Sequence, residues 1–227
     1  MGLGAKLFRM LDLVRPSPFT EHDKYVDDLE LGYLINIIDL FKRAAEVPGH
    51  IVELGTASGR NALLFGQLIC LYGYRSRKQY IGFDSFQSYT PRDLIEQPYL
   101  SRSRWSDNSL RSVQHRVDRL KLSDVVELRP GDILETVPKF FNEGSARLVS
   151  AGECHVSLLY VDVSAKAPAL AGIEVILDRM LPGSIIAIDQ KKHGGEWRAM
   201  KEIAEKKGLN FVCRPTPVDG AASAVIS

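Results

Sequence analysis

The sequence predicts an α/β fold, a doubly wound, seven-stranded and mostly parallel sheet whose final strand runs in reverse. Three observations carry this expectation. Short apolar runs alternate with longer stretches of helical periodicity along most of the 227 residues, which is the pattern of repeated β-α units. The runs show little strict alternation over their centres, so each strand is buried on both faces, as in a parallel sheet covered by helices. The last two runs, 210–214 and 222–227, are joined by a link (215–220) too short for a crossover helix, which requires an antiparallel pair.

The elements follow in order. A helix is expected over 23–45, where Tyr25, Leu29, Leu31, Leu34, Ile37, Ile38 and Phe41 recur close to a 3.6-residue period. Strand 50–54 leads into helix 62–72, and strand 79–84 is followed, after a long connection, by helix 110–120. Strand 124–129 comes next, then strand 156–162 with helix 169–180, and strand 184–189 with helix 196–207. Gly183 after Leu181-Pro182, and Gly208 after Lys206-Lys207, read as helix stops. The connection 85–109 is too long for a plain loop and leaves a strand's carboxyl end, where such sheets bind ligands, so it reads as a substrate lid. The connection 142–155 is rich in Gly, Ser and Glu. Two regions result: a helical segment over 1–48 that docks on the domain or serves as a lid, and the sheet domain over 49–227.

Composition narrows the function. Lys+Arg at 29 against Asp+Glu at 28 gives a net charge of +1, without the basic field of a nucleic-acid binder. No apolar run reaches the roughly 18 residues that span a bilayer. The segment 1–15 is short and amphipathic through Leu3, Leu7, Phe8, Leu11 and Val14, lacks a cleavage site, and reads as a docking helix rather than a membrane contact. Cys70, Cys154 and Cys213 are odd in number and far apart, which excludes a disulfide framework and a Cys-x-x-Cys zinc module and points to a reducing, cytoplasmic setting.

Chemistry concentrates where the strands end. Glu53-Leu54-Gly55-Thr56-Ala57-Ser58-Gly59 closes the first strand. Gly55 permits a sharp turn, and Gly59 lets the chain enter a helix while a ligand approaches its backbone. The open N–H groups of that helix start suit a carboxylate or phosphate. It is not a dinucleotide fingerprint, since Ala57 and Asn61 break Gly-x-Gly-x-x-Gly. Gly82-Phe83-Asp84-Ser85-Phe86 ends the second strand, and Asp84 stands where an acid accepts both ribose hydroxyls of an adenosine. Gly131-Asp132 follows the third strand and can lie beside an adenine ring. Asp162 and Asp189 end the fourth and fifth strands, so the sheet brings both to one edge, where two carboxylates hold a hard cation or serve as a base. Each of these acids has a structural alternative as a helix or turn cap.

Assembled, these residues make the chain resemble class I S-adenosylmethionine-dependent methyltransferases, with their Rossmann-like sheet. More narrowly it resembles the macrocin O-methyltransferase family of sugar-hydroxyl methylating enzymes from natural-product biosynthesis. The resemblance runs from about 52 to about 206. It rests on Val52-Glu53-x-Gly55, Gly82-Phe83-Asp84-Ser85-Phe86, Gly131-Asp132-x-x-x-Thr136-x-Pro138, Tyr160-Val161-Asp162, residues 181–186, and Gly195 leading into the Ala199 helix. It implies that Glu53, Gly55 and Gly59, with Thr56, Ala57 and Ser58 between them, frame the methionine half of the cofactor. It places Asp84 and Ser85 at the ribose, Gly131 and Asp132 at the adenine, and Asp162 near the reacting methyl. In the family, an Asp-x-Asp after the fourth strand and an Asp-Asp after the fifth supply a magnesium site and a base. This chain carries Asp162-x-Ser164 and Asp189-Gln190 instead, so Asp162, Asp189 and Gln190 would be a magnesium site short of two carboxylates, and weak or absent Mg²⁺ dependence is expected. Asp162 or His193 would take the proton from the acceptor.

The expected activity is therefore methylation of a small-molecule hydroxyl with S-adenosylmethionine, with a glycosylated metabolite among the candidate acceptors. The rival is a non-catalytic cofactor-binding or partner subunit, motivated by the lost carboxylates. Nucleic acid is disfavoured as a partner by the charge and by the absence of an Asn/Asp-Pro-Pro-Tyr motif, and a homo-oligomer is an assembly the sequence admits.

Overall fold

The computed structural model describes residues 28–96, 98, 109–143, 154–189, 194–208 and 221–226. Its elements are α1 (Asp28–Ala45), β1 (His50–Leu54), α2 (Arg60–Leu71), β2 (Tyr80–Asp84), α3 (Pro91–Glu96), α4 (Leu110–Arg119), β3 (Val126–Pro130), α5 (Ile133–Glu143), β4 (Val156–Val161), α6 (Lys166–Leu177), β5 (Met180–Ile188), α7 (Gly195–Lys207) and β6 (Ala222–Val225). The strands form one sheet in the order β3-β2-β1-β4-β5-β6. All neighbours are parallel except β6, which runs antiparallel to β5 from Ile185↔Val225 to Ile188↔Ala222.

This is the doubly wound sheet with a reversed final strand that the sequence predicts. The described sheet has six strands, and the run expected at 210–214 lies outside the described residues. Chain direction along the sheet switches between β1 and β4. In such sheets the crevice at that switch point, beyond the carboxyl ends, is where ligands bind.

Burial on both faces explains the unbroken apolar runs. Val52, Leu54, Leu159, Val161, Ile186 and Ile188 face a core completed by α5, α6 and α7. Their neighbours Ile51, Tyr80, Leu158, Tyr160, Ile185 and Ala187 face a second core shared with α1 and α2. Successive strand residues point to opposite sides, so each strand feeds two helical layers. Lys78 is 4% exposed and closes the junction of these layers. Its ammonium donates to the carbonyls of Ala44, Val47 and Gly49 at 3.0, 2.7 and 3.0 Å, and to Ser157 Oγ at 3.0 Å.

Three sequence expectations need correction. Gly183 is not a helix stop. The helix expected over 169–180 runs from Lys166 to Leu177, and Gly183, at φ 91°, sits inside β5. There its N–H donates to the Ile226 carbonyl at 2.8 Å. Pro182 has no N–H for the ladder, and the pairing of β5 with β4 jumps from Met180 to Ile185, which makes 181–184 an irregular edge. The stretch 133–143 forms α5, a helix the sequence reading missed. Ile133, Val137, Phe140 and Phe141 are its buried stripe, and Pro138 inside it masks the helical signal. Lastly, the long connection after β2 contains α3. Thr90-Pro91-x-Asp93 is its start: Asp93 Oδ2 accepts from the Thr90 N–H at 2.9 Å, and the Asp93 N–H returns to Thr90 Oγ1 at 3.3 Å. Among the described residues, no helix is long and apolar enough to cross a membrane.

Candidate functional site

An open cleft lies at the carboxyl edge of the sheet, over the switch point. Gly55 and Ala57 line it from the turn after β1, Asp84 and Ser85 from β2, Gly131 and Asp132 from β3, and Asp162 and Ser164 from β4. Tyr89 and Arg92 cover one side from the segment that leads into α3. The sequence-predicted cofactor residues Gly55, Ala57, Asp84, Ser85, Gly131, Asp132 and Asp162 are thus brought together.

The turns that carry these residues have unusual backbones. Ala57, Phe86 and Ser164 adopt φ of 45°, 50° and 57° at the exits of β1, β2 and β4. Non-glycine residues rarely take such values, and they concentrate at functional sites. Gly55 has φ 95°, and a Cβ there would stand 2.0 Å from the Asp162 carbonyl oxygen. Its freedom is needed because the turns after β1 and β4 touch at the switch point. Gly59 has φ 79° and begins α2 as expected, but the space its side chain would take is filled by Val113 of α4. The neighbouring Ser58 carbonyl accepts from Arg116 Nη2 at 2.5 Å.

Glu53 and Thr56 stand behind the cleft, 1% and 4% exposed. Glu53 Oε1 accepts from Asn61 Nδ2 at 2.6 Å, Oε2 accepts from the Tyr80 hydroxyl, and Asn61 Oδ1 in turn accepts from the Tyr33 hydroxyl. Thr56 Oγ1 is 3.3 Å from Tyr80 Oη. This chain of hydrogen bonds fixes α1 and the start of α2 to the floor of the site. Burial pushes the Glu53 carboxyl up to about 8, against the hydrogen bonds from Tyr80 and Asn61. The Arg60 guanidinium lies over the Tyr33 ring, 4.2 Å from its centre.

Acids gather at the ends of β4 and β5. Burial, and then Asp189, hold the Asp162 carboxyl well above its ordinary range. Asp189 accepts from the Tyr160 hydroxyl at 3.0 Å; burial raises it, and that hydrogen bond opposes the rise. Glu196, in the first turn of α7, is 0% exposed. Neither of its oxygens reaches a partner in full hydrogen-bond geometry. Burial pushes it up to about 7, while the amides of Glu196 itself and of Ser164 hold it lower. Sequence reasoning missed Glu196, because a Glu in a first helical turn is ordinary and nothing in the local pattern announces its burial. Of the other expected site residues, Gln190 and His193 lie outside the described residues. Among the described residues, no group of three or more His, Cys, Asp or Glu is arranged to hold a metal ion.

The segment after β2 is fastened beside the cleft at two points, both on α3. Arg92 Nη2 donates to Asp132 Oδ2 at 2.9 Å, while Asp132 Oδ1 caps α5 through the Leu134 N–H at 3.0 Å. Glu96 accepts from the N–H groups of Lys166 and Ala167, 3.0 and 3.2 Å, at the start of α6. Of the stretch expected to form a lid, residues 85–96 lie along one side of the cleft, and 97 and 99–108 lie outside the described residues. Tyr33, Tyr89, Arg92 and Glu96 join the site without having been singled out in the sequence.

Comparison with known proteins agrees with this geometry. The family described as a methyltransferase domain matches residues 52–190. CalS11, a calicheamicin methyltransferase, superposes with a TM-score of 0.75 over 96% of this chain and 90% of its own, at 22% identity. A second structure of CalS11, as TDP-rhamnose 3'-O-methyltransferase, gives 0.69 over 96% and 91%, at 23%. The O-methyltransferase NovP gives 0.72 over 86% and 80%, at 18%. At these identities the likeness is one of fold. No curated protein matches the chain in sequence.

Proposed function

The chain belongs to the methyltransferase-domain family, as a class I S-adenosylmethionine-dependent enzyme, and from that premise we propose that it methylates a hydroxyl of a small molecule. The acceptor class we propose is the sugar of a glycosylated natural product, as the resemblance to macrocin O-methyltransferases implies and as the likeness to CalS11, a TDP-rhamnose 3'-O-methyltransferase in calicheamicin biosynthesis, supports for a sugar hydroxyl. The setting is cytoplasmic, in keeping with thiols that pair with nothing in sequence.

The observation that carries the reading is the convergence of Gly55, Ala57, Asp84, Asp132 and Asp162 on one cleft at the switch point. The donor set fits the cofactor. The Asp84 oxygens accept from the N–H groups of Ala57 and Phe86 at 2.8 and 2.6 Å, with Ser85 beside them, and a carboxylate's four lone-pair sites leave capacity for a ribose hydroxyl. The backbone of the 55–57 turn receives the methionine half, and Asp132 stands on the adenine side. S-adenosylmethionine, when bound, supplies a methyl group already activated by its sulfonium.

What remains for the protein is alignment and proton removal. The 85–96 segment covers one side of the cleft and narrows the access of water. Asp162 lines the reacting end. Burial and Asp189 by themselves favour its neutral form; a positive sulfonium beside it would favour the carboxylate, and that carboxylate takes the proton of the attacking hydroxyl. Magnesium fits the described residues poorly, with Asp162 and Asp189 as the two acids at the family's positions and an oxygen of Asp189 engaged by Tyr160. No step is routed through a metal.

The test is release of S-adenosylhomocysteine in a screen of sugar nucleotides and glycosides. Turnover that Asp162→Asn abolishes supports the reading. Cofactor binding with no turnover across the screen would favour the non-catalytic subunit instead.

A further inference from the structure

Helix α1 carries more apolar surface than its packed face uses. Ile37, Leu40, Phe41 and Ala44 are buried against the sheet and α2, yet Leu31 and Ile35 are each 48% exposed and Ile38 37%. These three recur at i, i+4 and i+7 and make one outward stripe. Beside them a groove of about 540 Å³ runs between α1, α2 and the end of α4, lined by Leu34, Ile38, Leu64, Leu68, Leu71 and Leu120. Its polar lining is Gln67 and Arg75. Arg75 is committed elsewhere, to Asp124 and the Lys121 carbonyl. Leu71 stands 78% exposed at the rim. An apolar patch of this continuity marks a surface that something covers.

We propose that residues 3–14 of the same chain cover it, laying Leu3, Leu7, Leu11 and Val14 into the groove as an amphipathic helix. Those positions fall on one face at helical spacing, whereas Arg9 and Asp12 fall on the other. This is the helix-in-groove mode, read as anchors three and four residues apart. The rows on α2, Leu64, Leu68 and Leu71, offer two helical turns of apolar wall, about 10 Å at 1.5 Å per residue. Pro16 and Pro18 follow the amphipathic stretch, so the helix ends there and the chain can turn.

The connection also reaches. Residues 16–27 span up to ~40 Å when extended, and Ile38 lies only about 15 Å along α1 from its start. A segment tethered this closely is present at an effective concentration of about millimolar, which favours the chain's own segment over that of a second copy. The docking would brace the outer side of α1, whose inner side carries Tyr33 to Asn61 and the floor of the site.

The groove supplies its own reporter, because Cys70 lines it and is a free thiol. In the full chain with Cys213→Ser, Leu7→Cys is expected to form a disulfide with Cys70 within one chain under mild oxidation, at least ten times faster than Arg9→Cys on the opposite face. Equal rates for the two variants, or a link between two chains, would overturn the proposal, the second outcome naming another copy as occupant. In a second measurement, Leu7→Asp with Leu11→Asp is expected to speed alkylation of Cys70 at least fivefold over the unsubstituted chain. An unchanged rate would also overturn it.

Discussion

The peptide N–H of Ala57 donates to a carboxylate oxygen of Asp84 at 2.8 Å, tying the turn after β1 to the end of β2. Asp84 thereby faces the cleft and clamps the loop that, in the proposed function, receives the other half of the cofactor. Asp84→Ala should weaken S-adenosylmethionine binding about 10- to 100-fold, the scale of one charge-assisted hydrogen bond of roughly 1.5–3 kcal/mol. Calorimetry checks this, and an unchanged affinity would remove Asp84 from the ribose site.

Gly55 answers a different question. A ligand-approach role would let Gly55→Ala fold and fail only in binding. The structure puts the Asp162 backbone, rather than ligand space, where the new Cβ would go, and φ of 95° adds strain of its own. Gly55→Ala should therefore destabilise the fold by about 3 kcal/mol or more, visible as a large drop in melting temperature without any ligand.

Lys78 is the next test of the frame. Its burial lowers the ammonium to about 8, yet three carbonyls and Ser157 surround it. Lys78→Met keeps the apolar stem but removes the buried ammonium that these acceptors share, leaving the Val47 carbonyl without its donor. A loss of ~2–4 kcal/mol in urea denaturation is expected.

Glu53 should give the fold a pH dependence of definite sign. Its folded value of about 8 lies above the ordinary 4.5, so the folded state holds this proton more tightly than the unfolded chain. The stability it contributes is full below the ordinary value and is lost as pH rises through the folded value. Denaturation at about pH 5 and about pH 9 should show the native chain weakening, relative to Glu53→Gln, by an amount on the order of a few kcal/mol. Parallel curves for the two proteins would contradict this origin.

Excess chelator is expected to leave turnover within about twofold, because Ser164 and Gln190 remove two negative ligands from the positions where a magnesium site of this kind would need them. Activity lost to chelator and restored by Mg²⁺ would make Asp162 and Asp189 ligands rather than base and neighbour.

The sheet was legible because strands buried on both faces leave unbroken apolar runs, and the strand ends carried the acids. Asp84, Asp132 and Asp162 could be placed on one edge from order alone. α5 was not legible, because Pro138 interrupts the pattern that Ile133, Val137, Phe140 and Phe141 complete only in three dimensions. Gly183 misled for a similar reason: a glycine after a helix-like stretch signals a stop, but here its positive φ lets an irregular β5 edge meet β6. The Tyr33–Asn61–Glu53 chain could not be read at all, since it joins residues far apart in sequence through side chains without a shared motif. Glu196 is likewise defined by what surrounds it.

Glu96 binds two amides at the start of α6 from within the cover itself. Swinging that cover outward uncaps a helix, a change of about 1 kcal/mol, or about a fivefold bias in population at room temperature. A bias of that size holds the segment in place over one side of the open cleft without locking it there. The position of one wall of the cleft is thus set in part by a cap that lies outside the cleft lining.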